Sequence, residues 1–134
     1  MNHWDAINSV VVVQNVALEK ALNDQKKKFA TEGKVDKYGK VPEHFQFHGT
    51  AFENINKIIE ENFEIDMTPT HKEKSMLFGR GIYLSELPGV SLMYGEGLLL
   101  CKVILGKCQN ITPMDNLLHQ SQKDLTAEFW SKMD

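Results

Sequence analysis

The chain has 134 residues, 42% hydrophobic and 25% charged, with a formal charge of -3 and a pI near 5.9. This is the composition of one ordinary globular domain with a single core. The charge balance gives no global attraction to nucleic acid, no stretch reaches transmembrane length, and Met-Asn-His-Trp-Asp at the start lacks the basic run and apolar core of a secretory signal.

Val10 to Val13 are four consecutive β-branched residues and predict a strand buried on both faces. Asn15 then caps a helix starting near Val16, with Leu18, Ala21, Leu22, Gln25 and Phe29 on its inner stripe. Lys26, Lys27 and Lys28 read as a solvated helix end, and residues 31–42 as a polar surface linker. Phe45 to His48 alternates as a strand. His44 and His48 would then lie roughly 13 Å apart, too far to share a metal. Thr50-Ala51-Phe52-Glu53 has the form of a capping box, opening a helix with Ala51, Ile55, Ile58 and Ile59 facing the core and Asn62 near its end. Phe63 to Ile65 reads as a short strand and residues 66–76 as a loop. Ile82 to Leu84 is a further β-type run, broken by Pro88 and Gly89. Pro88 suits the first turn of a helix, which sets Ser91 and Tyr94 three apart on one face. A hydroxyl and an aromatic ring on one wall can hold a flat polar ring. Leu98 to Leu105 is a central strand between Gly95, Gly97 and Gly106, and residues 108–112 form one more short strand. Leu117, Leu118, Leu125, Phe129 and Trp130 have partial helical spacing in a polar tail. The two cysteines, Cys101 and Cys108, have no metal-spaced partners and fit a reducing, intracellular setting, nuclear or cytoplasmic and not secreted.

Three blocks now stand in order: Phe47-His48-Gly49-Thr50, then Phe78 to Tyr94 with Gly81-Ile82-Tyr83 as its sharpest part, then the strand from Leu100 to Gly106. Over residues 7–106 this order resembles the catalytic domain of the poly(ADP-ribose) polymerase family, the diphtheria-toxin-like ADP-ribosyltransferases. It is most similar to the macrodomain-associated branch that transfers single ADP-ribose units. The resemblance implies an α+β fold with a split, mainly antiparallel β-sheet and flanking helices, in one domain over residues 1–134, with residues 107–134 a tail outside the family-like region 7–106. It implies NAD+ as co-substrate and a protein as acceptor; the charge, segment lengths and His/Cys spacing above add the expectation of no nucleic-acid, membrane or metal partner.

Residue by residue, the resemblance implies that His48 bonds the adenosine ribose and that the Gly49 amide and carbonyl take the nicotinamide carboxamide, beside Thr50. Tyr83 stands for the signature tyrosine and shares the catalytic role with His48. Ser91 would bond the carboxamide oxygen and Tyr94 would stack on the nicotinamide ring. The chain departs from the family at the third signature residue. No tyrosine follows Tyr94, and Glu128, the only glutamate after Glu96, stands beside Phe129 and Trp130 without the family pattern. The family domain is therefore expected to be incomplete at its C-terminal end, with weak single-unit transfer or, as the alternative, an inactive module that binds NAD or serves as an interaction domain. A phosphate loop at Gly79-Arg80-Gly81 is the weaker alternative, because that segment has no third glycine and no Lys-Ser/Thr pair.

Overall fold

A computed structural model describes residues 7–65 and 81–111. The chain divides into two compact units, one of residues 1–64 and 83–104, the other of residues 65–82 and 105–134. All helices and strands among the described residues belong to the first. The described residues of the second, 65, 81–82 and 105–111, carry no regular element, so the strand expected over 108–112 is absent from 108–111. The loop at 66–76, Gly79-Arg80 and the spacing after residue 111 lie outside the described residues.

Helix α1 (Val16–Thr31) starts as expected: the Asn15 side-chain oxygen accepts from the Leu18 amide at 3.2 Å. It ends in a Schellman arrangement, with the Gly33 amide on Ala30 and the Lys34 amide on Phe29, and Gly33 at φ 75° supplies the left-handed turn. Phe29 is its buried anchor, and the Lys34 ammonium sits 4.4 Å from that ring's centre. Strand β1 (Glu43–Thr50) and strand β2 (Gly97–Ile104) pair antiparallel, from Glu43 opposite Ile104 to Thr50 opposite Gly97. Between them come helix α2 (Phe52–Glu61), the one-turn helix α3 (Pro88–Ser91) and a 3₁₀ turn over Leu92–Tyr94. Among the described residues, this two-stranded antiparallel sheet with helices is consistent with the expected α+β class.

Cross-strand partners share a face. His48, Thr50, Leu99 and Gly97 lie on the face beneath α2, where a Cβ on Gly97 would run into Ile55. Phe47, Gly49, Leu98 and Leu100 lie on the other, where α3 packs. Cys101, opposite Gln46, is half-buried, and burial pushes its thiol up to about 11.

Four further expectations fail for identifiable reasons. Val10 to Val13 form no strand: they are 81, 80, 83 and 46% exposed, and no described residue offers them a ladder. The β-branched run satisfies local preference, but a strand also needs a partner. The capping box does not form, because Thr50 is held in β1 opposite Gly97 and the cap moves to Ala51, which bonds through no side chain. Glu53 thus stands one position too early to reach back, and the Thr50 hydroxyl accepts instead from the Asn54 side chain at 3.1 Å. Ala51 is correspondingly exposed. Phe63 to Ile65 form no strand, since Asn62 turns the chain at φ 75° and its side chain accepts the Phe63 amide. Ile82 to Leu84 form no strand either: this stretch has one bridge to the sheet, at Ser85 opposite Phe47.

Candidate functional site

The site is built on the edge of β1 that faces away from β2. Phe47 exchanges both backbone bonds with Ser85 there, the Phe47 amide to the Ser85 carbonyl at 2.7 Å and the Ser85 amide to the Phe47 carbonyl at 2.9 Å. Backbone groups of successive strand residues point to opposite edges, so those of His48 face β2 and those of Gly49 face the same edge as Phe47's. Opposite Gly49 the bridge does not continue among the described residues. One residue therefore presents an N–H donor and a C=O acceptor side by side where the ladder stops.

Glycine is required there by space. A Cβ on Gly49 would fall on the Ser91 carbonyl, so α3 can sit against β1 only with a hydrogen at this position. Pro88 occupies the first position of α3 as expected, and the short helix delivers Ser91, which is 4% exposed. The Ser91 hydroxyl donates to the Phe47 carbonyl at 2.9 Å. The 3₁₀ turn then carries Tyr94 outward, 56% exposed, with its ring centre 6.3 Å from that of Tyr83 and tilted by 33°.

His48 is half-buried, edge-on to the Phe63 ring at 4.8 Å between centres. Its Nδ1 lies 2.9 Å from the Tyr83 carbonyl. A carbonyl only accepts, so Nδ1 carries the proton and the neutral ring keeps Nε2 as an acceptor. His48, Gly49, Tyr83, Ser91 and Tyr94, chosen from blocks far apart in sequence, thus gather around the end of β1. Thr50 closes that strand and packs against Gly95, where an added Cβ would strike its backbone. What the sequence did not reveal is Phe47, whose carbonyl receives both the Ser85 amide and the Ser91 hydroxyl. Only its place before His-Gly pointed to it. A hollow of about 330 Å³ beside Ala51, Phe52, Glu53, Gly95 and Glu96 is lined by none of the expected residues. Among the described residues no group of His, Cys, Asp and Glu is arranged to hold a metal.

No curated protein matches the chain. The family model of the poly(ADP-ribose) polymerase catalytic domain matches residues 3–131, extending past both ends of the motif-bearing stretch 7–106. With that match over almost its whole length, the chain belongs to the poly(ADP-ribose) polymerase catalytic domain family.

Proposed function

We propose that the protein is an NAD+ ADP-ribosyltransferase that releases nicotinamide and passes single ADP-ribose units to a protein acceptor, as in the macrodomain-associated branch. In this reading the domain has the split-sheet fold of that branch, with β1 and β2 in one half. The observation that carries the reading is the unladdered Gly49 edge. A primary carboxamide has a carbonyl to accept the Gly49 amide and an N–H to donate to the Gly49 carbonyl, and the strand offers that pair in one plane.

The ring contacts fit the same ligand. A flat ring held between two aromatic faces needs roughly 7 Å between their centres, two stacking distances of about 3.5 Å. Tyr83 and Tyr94 stand at 6.3 Å, and Tyr94, exposed at the surface, can move outward by the difference. His48 presents Nε2 as an acceptor for a ribose hydroxyl, and Thr50 lies next along the strand. Clamping the ring through its carboxamide favours its departure as neutral nicotinamide, while the positive charge that develops on the ribose needs a separate stabilising group. A second reading, in which the chain binds NAD+ without turnover, uses the same clamp.

Incubation with NAD+ labelled in the adenosine half, with nicotinamide release followed by chromatography, separates these readings. Stoichiometric single-unit adducts are expected. Long polymer would refute single-unit transfer, and binding without nicotinamide release would leave the second reading.

A further inference from the structure

We infer that Phe63 is a positioning residue for His48: its ring sets the plane of the imidazole, and thereby the direction from which Nε2 meets a ribose hydroxyl. This rests on the ribose-binding reading of His48 above. The bond between Nδ1 and the Tyr83 carbonyl fixes one atom of the imidazole. It does not fix the plane of the ring, because rotation about the histidine Cβ–Cγ bond has only broad, roughly two-fold preferences. A second contact must set that angle, and Phe63 supplies it. The two rings meet edge to face, 4.8 Å between centres and 79° between planes, an arrangement that aromatic pairs favour. Both residues are half-buried, so neither is sealed from a ligand.

Phe63 reaches His48 because the end of α2 is held before it. The Asn15 side-chain amide donates to the Ile59 carbonyl at 2.8 Å and to the Glu60 carbonyl at 3.3 Å, two of the last carbonyls of the helix. The Asn62 amide donates to the Ile58 carbonyl at 2.8 Å. Asn62 then turns the chain at φ 75°, the one left-handed residue other than glycine among the described residues, and asparagine is one of the few side chains that enter that region readily. Its side-chain oxygen accepts the Phe63 amide at 2.8 Å and holds the turn closed. The ring of Phe63 is thereby brought to His48 on the face of β1 beneath α2. A group that must meet a ligand at hydrogen-bond distance needs a support whose own position is locked, and this support is locked by Asn15 from α1 and by Asn62 from α2.

A mutant cycle on the full chain tests this by calorimetry with two probes. One is nicotinamide; the other is carba-NAD+, in which a methylene replaces the ring oxygen of the nicotinamide ribose, so that the bond to nicotinamide is not cleaved. Phe63→Ala is expected to weaken carba-NAD+ about fivefold and nicotinamide by no more than about twofold. In the His48→Ala background the same change should alter carba-NAD+ by no more than about twofold, because residues acting as one unit are not additive. Equal losses of carba-NAD+ in both backgrounds would overturn the inference, since Phe63 would then act on the ligand without His48. Proton–nitrogen correlation spectra of the ligand-free protein read the imidazole directly. The wild type should show one tautomer, protonated at Nδ1, and Phe63→Ala a mixture of two as the ring tilts away from the Tyr83 carbonyl. An unchanged spectrum in the variant, or a mixture already in the wild type, would also overturn it. If Phe63→Ala does not fold, Phe63→Leu, closer in volume but without an aromatic ring, takes its place in both arms. Failure of the wild type to bind carba-NAD+, or equal weakening of both probes by His48→Ala, would sink the ribose reading instead, and the spectra then decide by themselves whether Phe63 sets the imidazole.

Discussion

The two edges of β1 are built to different rules. Toward β2 the strand runs a regular ladder from Glu43 to Thr50, which fixes register and leaves its backbone groups satisfied within the sheet. On the opposite edge the only bridge among the described residues is at Ser85, and past it the chain departs through Tyr83 on one side and α3 on the other. The first edge holds the strand and the second exposes it. An open strand edge is a hazard in a protein, and among the described residues the Ser91 hydroxyl of α3 occupies part of this one at the Phe47 carbonyl.

Substituting Gly49 should break this difference most strongly. Gly49→Ala places a methyl on the Ser91 carbonyl, so α3 must move off the strand, at a cost typical of overpacking, about 1–3 kcal/mol. Urea unfolding should show a lower midpoint, and nicotinamide binding should vanish because α3 and the turn that carries Tyr94 are displaced. Normal binding in this variant would mean that the Gly49 edge is not the reading surface. Next in size is Tyr94→Ala. It should weaken nicotinamide by roughly 1 kcal/mol beyond area, four- to tenfold, while the exposed position leaves the unfolding midpoint nearly unchanged.

How much of this was legible follows the same division. The helix capped by Asn15, the strands around Phe47 and after Gly97, and the Pro88 helix start could be read because each depends on local chemistry. The Asn15 amide also donates to the Ile59 carbonyl at 2.8 Å, tying α1 to the end of α2, and no sequence signal marks such a bond. Thr50 was misread because a ladder to Gly97 overrode a local cap signature. The spacing of Tyr83, Ser91 and Tyr94 did lead to one place in the fold. The direction of the Ser91 hydroxyl was invisible, because it depends on which carbonyl happens to lie beneath α3.

His48 permits a sharper and smaller test. Removing its ring deletes the bond to the Tyr83 carbonyl, which should cost about 0.5–1.5 kcal/mol of stability in His48→Ala. In the ribose-binding reading the same change weakens NAD+ more than nicotinamide, because only the dinucleotide has a ribose to bond Nε2. Equal weakening of the two ligands would assign His48 to the support of Tyr83 alone.

The smallest effect is expected at the N-terminal valines, and its smallness is the point. Val10 to Val13 and the residues of β2 are similarly apolar, yet β2 lies beside β1 and the valines stand largely in solvent. Their side chains gain little from folding, since the stabilisation of an apolar group follows the area it removes from water. Val12, at 83% exposure, can therefore be replaced by Lys with a change of no more than about 0.5 kcal/mol in urea unfolding. The segment from Ile7 to Asn15 carries no charge, so the new ammonium meets no buried surface and also interrupts an uncharged run of β-formers of the sort that promotes association. Concentration-dependent light scattering should fall in the variant while the midpoint holds. A loss of more than about 1 kcal/mol would contradict the exposed placement and return these residues to the sheet, where a charge on a buried face is expensive.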